Sequence, residues 1–283
     1  MATTKVSSSN RRSSKSLISD EKAIYNDTLE AYPAIDYKTV SSIFDSLAHF
    51  NAKTMKLSEL LGDPAWLFDL GFPIHQLKSP IIHPERLDWR LNDEYMIPAL
   101  SSLSGRKQFA EMSIAWNCDG LFFHSILKAP ADKAARLKAS GLSSKSLLLS
   151  VYIDTRWSPD VHRATTFCHR FDFILSRPTS SNPVVRGHGE LSPIQRARAA
   201  PTAIHPNDIS VATFAIPDGY EIKAYLRGDT LTGFAPEEFQ EIGIFYTIND
   251  SVFGNQIMAR TLQSPYFEDP SVWCRGNLLQ SAS

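Results

Sequence analysis

The sequence predicts an all-β protein: an antiparallel β-sandwich of the immunoglobulin or jelly-roll kind, with a short helical extension at the N-terminus. Three observations predict it. From residue 109 onward the apolar residues recur with a period of two, the pattern of strands that bury one face. Two tight turns, Cys118-Asp119-Gly120 and Pro217-Asp218-Gly219, each join a pair of such runs, as hairpins require. No sustained alternation of strand and helix occurs, so the crossover connections of a parallel sheet are missing.

The elements follow in chain order. Residues 1–16 are rich in serine and carry Lys5, Arg11, Arg12 and Lys15 with no acid. Such a stretch cannot bury enough apolar surface to offset its ordering entropy, so it reads as a disordered basic tail. Residues 17–54 read as a helical extension, with Val40, Ile43, Phe44 and Leu47 on one face. Met55 opens a different kind of sequence and is an alternative start of translation, which would leave 1–54 outside the native chain. The sandwich is expected over 55–283.

Within it, 112–117 and 121–127 form the first hairpin, with Gly120 supplying the positive φ of the turn. Residues 131–139, rich in alanine and lysine, read as a surface helix or an ordered loop before a strand at 146–154. A strand at 165–175 places Phe167, His169, Phe171, Phe173 and Leu175 on one face and Cys168, Arg170, Asp172 and Ile174 on the other. Residues 177–206 hold five prolines and no period, which predicts a long excursion. A second hairpin covers 209–216 and 220–226, a loop with short helical character covers 228–239, and strands follow at 242–250 and 272–279. Trp66, Trp89 and Trp273 are expected in the core.

Composition narrows the functional classes. Lys and Arg number 29 against 30 Asp and Glu, a formal charge of −1, and outside the basic tail the balance is acidic. A body of that sign does not attract a phosphate backbone, so nucleic acid is not an expected partner. No apolar run is long enough to span a bilayer, and no hydrophobic signal region follows the N-terminal charges. The chain is therefore expected in the cytoplasm, with no membrane partner and with its oligomeric state open. Cys118, Cys168 and Cys274 are too few and too widely spaced for a disulfide framework or a zinc knuckle, and reduced thiols are expected.

Chemistry concentrates between residues 153 and 171, which gather Asp154, Arg156, Trp157, Asp160, His162, Arg163, Cys168, His169 and Arg170. Three readings compete. A metal site would draw on His162, Cys168, His169 and an aspartate, against the fact that Cys168 and His169 are strand neighbours on opposite faces. A structural reading buries His169 among phenylalanines and pairs Arg170 with Asp172 or an acid on a neighbouring strand, with Asp154 and Cys168 in the same network. A ligand reading sets Arg156, Trp157, His162 and Arg163 on a rim, where an aromatic ring stacks on the apolar face of a sugar and planar donors reach its hydroxyls. No Gly-x-Ser-x-Gly elbow, phosphate loop or calcium loop is present. No acid/base pair or activated nucleophile can be named either, so an enzyme is not expected.

The run Tyr152-Ile153-Asp154-Thr155-Arg156, then His162-Arg163-Ala164-Thr165 and Phe167-Cys168-His169-Arg170-Phe171, resembles uncharacterised bacterial proteins with a domain similar to family 9 carbohydrate-binding modules. Ala115-Trp116-Asn117, Asp218-Gly219-Tyr220, Leu231-Thr232-Gly233-Phe234, Gly243-Ile244-Phe245-Tyr246 and Glu268-Asp269-Pro270-Ser271-Val272-Trp273 extend the resemblance in order from about Leu57 to Leu279. It implies a β-sandwich of the wider group that includes haem-binding cytochrome and catecholamine-receptor-like (DOMON-like) domains. It also implies a non-catalytic module that binds carbohydrate, is linked to polysaccharide or glycan catabolism and needs no cofactor, any glycoside hydrolysis belonging to a partner. The sequence departs from the family in having no attached catalytic domain and no alignable pair of sandwiching tryptophans. Two alternatives stay open: a haem- or metal-binding sandwich using His162 or His169, and a structural or partner-binding protein without a small ligand.

Overall fold

The structure is a computed structural model that describes residues 71–78, 81–98, 108–128, 147–258 and 265–280. All of them belong to the unit Pro64–Ser283. The basic tail at 1–16, the helical extension at 17–54, the alternative start at Met55, Trp66 and the 131–139 segment lie outside the described residues. The described residues contain strands and short 3-10 turns, with no α-helix among them, and no helix there is long and apolar enough to cross a membrane.

Twelve strands share one hydrogen-bonded sheet. They are β1 (Gly71–Gln76), β2 (Ala110–Asn117), β3 (Gly120–Lys128), β4 (Leu147–Asp154), β5 (Cys168–Leu175), β6 (Val184–Arg186), β7 (His188–Ser192), β8 (Ile209–Ile216), β9 (Gly219–Arg227), β10 (Glu241–Asp250), β11 (Gly254–Ile257) and β12 (Cys274–Leu279). Both predicted hairpins are present as β2-β3 and β8-β9, and Gly120 has the positive φ, 155°, that its turn requires. The strand order is β6-β8-β9-β3-β2-β1-β12-β10-β4-β5-β7, with β11 added to β10.

Two elements make one sheet where the sequence leads one to expect the two of a sandwich. β1 lies between β2 and β12 and is parallel to both, so it bridges halves that would otherwise be separate antiparallel sheets. At the other side, residues 184–192, expected to be irregular, pair with β8 before Gly187 and with β5 after it. Gly187 donates its N–H to Val211 O at 2.9 Å at this corner, and a Cβ there would collide with Leu175 and crowd Val211. The sheet therefore curls until its two ends meet. β6 and β7 are short and largely exposed, which is why they carry no apolar alternation.

The strands bury both faces. Inward, Trp116, Phe123, Phe171, Phe173, Ile244 and Leu226 belong to one continuous core. Outward, Leu87, Trp89, Leu91 and Tyr95 cover Ala115, Phe122, Ala212 and Tyr225 in a second cluster, with Trp89 edge-on to Phe122 at 5.3 Å. Tyr266 and Trp273 cover the outer face of β4 and β10. There Tyr266 stacks on Phe245 at 4.6 Å, and Tyr152 meets both covering rings. Trp89 and Trp273 are thus core residues, as predicted.

Candidate functional site

The register brings one end of β2, β3, β4, β5, β9 and β10 together, and the loops at 155–167, 193–208 and 228–240 close that end. Asp154, the last residue of β4, is buried and accepts the N–H groups of Arg156 and Ser158 at 3.0 and 2.9 Å. Burial raises its pKa against those two hydrogen bonds. It shapes the turn that sets out the following residues.

His169 points inward from β5, fully buried and stacked on Phe171 at 6.0 Å. Its Nε2 accepts the Thr232 N–H at 3.0 Å, so the ring proton sits on Nδ1 and is donated to Phe167 O at 3.0 Å. Burial lowers its pKa to about 4, opposed by the hydrogen bond to Phe167. Both nitrogens are engaged by backbone, so His169 has none to offer a haem or a metal. Cys168 lies on the other face with its pKa raised to about 11 by burial and then by the nearby Asp154 charge. Arg170 donates to Asp172 at 3.1 Å, and Asp172 also accepts the Ser150 hydroxyl at 2.6 Å. Among the described residues no group of three or more His, Cys, Asp or Glu side chains converges as a metal site.

The four rim residues separate. Arg156 turns back over Phe239, its guanidinium 3.4 Å from the ring centroid and 5.2 Å from that of Phe167. Its Nη1 is buried without a hydrogen-bond partner. His162 and Arg163 are exposed. His162 Nδ1 meets Asp269 at 3.2 Å and the Ser271 hydroxyl at 2.9 Å, and Arg163 Nε donates to Arg196 O at 2.9 Å. Serine, histidine and aspartate meet here without forming a catalytic relay. Both contacts run to the same imidazole nitrogen, and Ser271 Oγ also lies 2.6 Å from Asp269, to which it donates. A relay needs the serine and the acid on opposite nitrogens.

Trp157 is half-buried and has a left-handed backbone, φ 41°. Its ring lies on β10 beside Gly243, where a Cβ would come within 3.4 Å of Trp157 Cε3 and 3.0 Å of Asp154 Cβ. Gly243 pairs with Arg275 on β12, which pairs in turn with Gly71 on β1. In the next outward row Glu241 pairs with Asn277, and Arg275 Nη1 reaches Glu241 at 3.4 Å. Gly243 thus lies under the indole, the Arg275 and Asn277 side chains lie over Gly71, and Glu241 stands beside them, with Phe239 exposed where the chain enters β10. None of these six residues belongs to the rim that the sequence predicts. The signal for them was the alternation of Cys274, Gly276 and Leu278 with Arg275 and Asn277, which puts polar groups on the outer face.

A separate groove of about 610 Å³ lies near Tyr225 and is lined by Ile81, Ile82, Asp119, Asp208, Arg227 and Asp229 among others. Its one arginine is paired with Asp208 and Asp229.

No protein-family model matches the chain, and no curated protein matches it. Among solved structures the chain is similar to a carbohydrate binding module family 9 from Caldicellulosiruptor kristjanssonii in complex with cellotriose. The TM-score is 0.45 at 12% identity, covering 75% of this chain and 95% of that one. It is also similar to such a module from the same organism in complex with glucose, with a TM-score of 0.43 at 13% identity, covering 75% and 97%.

Proposed function

We propose that the chain is a non-catalytic carbohydrate-binding module whose ligand lies against Trp157. One observation carries the reading: the indole is held half-exposed on a glycine floor, beside the outward-facing Glu241, Arg275 and Asn277. A sugar offers an apolar C–H face and a ring of hydroxyls. The indole supplies a flat apolar surface for the first, and the guanidinium, carboxylate and amide supply paired donors and acceptors for the second. Gly243 lets the indole approach β10 closely, and Gly71 does the same for the Arg275 and Asn277 side chains. In this reading Trp157 is the platform and His162 and Arg163 extend the surface along the same connection. Arg156 braces the loop through Phe239. A role in glycan catabolism follows if a partner supplies hydrolysis.

Calorimetric titration tests the reading. Glucose and cellotriose, the ligands of the two similar modules, are the first probes, followed by other neutral oligosaccharides. A saturable isotherm is expected, weakened by at least about ten-fold in Trp157→Ala, as for an aromatic anchor. No heat with any saccharide, or full binding by Trp157→Ala, would remove the proposal.

A further inference from the structure

Three residues other than glycine have a left-handed backbone in the described chain: Leu87, Trp157 and Arg196. Leu87 is fully buried in the outer cluster. Trp157 and Arg196 stand on two of the three loops that close this end of the sheet, 155–167 and 193–208. Such a backbone costs an L-residue about 1 kcal/mol or more and persists where surrounding contacts hold it, often at binding sites.

The turn at Arg196 aims its carbonyl at the Arg163 Nε, 2.9 Å away. Two residues on, the Arg198 N–H donates to Ala164 O at 2.8 Å. The loops at 155–167 and 193–208 are therefore laced together at two points, which sets residues 163–164 against residues 196–198. Both are exposed. The neighbouring acids have other partners: Glu268 meets Arg196 at 3.4 Å, and Asp269 meets the His162 ring and accepts the Ser271 hydroxyl. Among the described residues Arg163 and Arg198 meet no carboxylate within 4 Å. Holding Arg163 by its Nε leaves both of its terminal nitrogens for an incoming group.

We propose that Arg163 and Arg198 receive a carboxylate carried by the saccharide, so that the ligand class is an acidic, uronate-bearing glycan. The inference rests on the carbohydrate reading of Trp157 and adds to it the charge of the ligand. A guanidinium presents a planar fork of N–H donors that matches the two oxygens of a carboxylate, which a hydroxyl cannot do. Two such groups that no carboxylate among the described residues meets favour an anion over a neutral sugar by more than either alone.

A pair of ligands with one skeleton separates this inference from the reading beneath it. The full chain is titrated with an oligogalacturonate and with the methyl ester of the same oligosaccharide, at low and at moderate salt. The free acid is expected to bind about ten-fold more tightly, an advantage that shrinks as salt screens it. It should vanish in the Arg163→Gln/Arg198→Gln double variant, which then binds the acid and the ester with equal affinity. Equal affinity for acid and ester, with both lost in Trp157→Ala, overturns the inference and leaves the carbohydrate reading standing. An advantage for the acid that survives in the double variant overturns the assignment to these arginines. Binding of neither ligand overturns both.

Discussion

His169 Nε2 accepts the backbone N–H of Thr232 at 3.0 Å, which pins the 228–240 loop to the inner wall of the sheet. The same loop is held a second time where the Thr155 hydroxyl donates to Thr232 O at 2.7 Å. A neutral imidazole is required at this place, because a proton on Nε2 would face a second N–H instead of a lone pair.

Stability should therefore fall with acid through His169. Its pKa is about 4 in the folded chain against roughly 6.5 when unfolded. The unfolded state binds the proton first, so the contribution is fully present above pH 6.5 and is lost as pH falls towards 4, amounting to roughly 3 kcal/mol there. Denaturant unfolding at pH 7.5, 5.5 and 4 measures it. His169→Gln, which stays neutral, should start less stable and show a flatter decline over the same window. A parallel decline in both proteins would place the acid sensitivity elsewhere. Glu221 adds a loss only at the acid end of this window, since its contribution drains as pH falls from about 4.5, its unfolded value, towards about 2, so the comparison between pH 7.5 and 5.5 isolates His169.

Glu221 anchors a buried charge network on the outer face. It meets His124 at 2.9 Å, Arg90 at 3.0 Å and Lys223 at 3.3 Å. Burial alone would raise its pKa, but the hydrogen bonds from His124 and Arg90 and the charge of Lys223 pull it down to about 2. His124 also reaches Leu91 O at 3.2 Å, so the network ties the covering segment to β3 and β9. Glu221→Leu strands Lys223, whose side chain is 7% exposed, and should cost about 3–5 kcal/mol at pH 7. Adding Lys223→Met should recover part of that loss. Urea midpoints of the three proteins give the comparison.

Much of this architecture is legible in the sequence because it is written in alternation. Phe171, Phe173 and Leu175 face the core, as the period-two pattern of β5 requires. β1 is illegible for a physical reason: it spans six residues, contains Pro73 and is held by parallel neighbours distant in sequence. No local turn marks such a strand. The rim shows the same division. The sequence places Trp157 and Arg156 on one connection, but only the fold shows that Arg156 turns onto Phe239 while Trp157 lies against Gly243. Arg275 and Glu241 join them through register with strands remote in the chain.

Closure of the sheet at Gly187 is testable by adding one methyl group. Its Cβ would meet Leu175 and Val211 with little room for either to withdraw, so Gly187→Ala should destabilise the fold by about 1–3 kcal/mol. Amide exchange should quicken in β6 and β7 ahead of β2 and β3, since the ring opens at this seam. Uniform quickening in every strand would mean that the seam opens only with global unfolding.

Trp157 separates a backbone effect from a ring effect. Trp157→Gly and Trp157→Ala both remove the indole, so both should lose saccharide binding to the same degree. They should differ in stability, because alanine keeps the left-handed strain and glycine relieves it. The glycine variant should be about 1 kcal/mol more stable than the alanine variant by thermal or denaturant unfolding. Gly243→Ala probes the floor beneath the ring. Its methyl would lie 3.4 Å from Trp157 Cε3 and 3.0 Å from Asp154 Cβ, and the half-buried indole is freer to move than the buried aspartate. The ring should lift, and binding should weaken several-fold with a loss of stability of about 1 kcal/mol. If Gly243→Ala binds as tightly as the unaltered chain, the position of the indole over β10 does not set the site. If it unfolds instead, Asp154 is the contact that cannot yield, and the floor serves the turn before it serves the ligand.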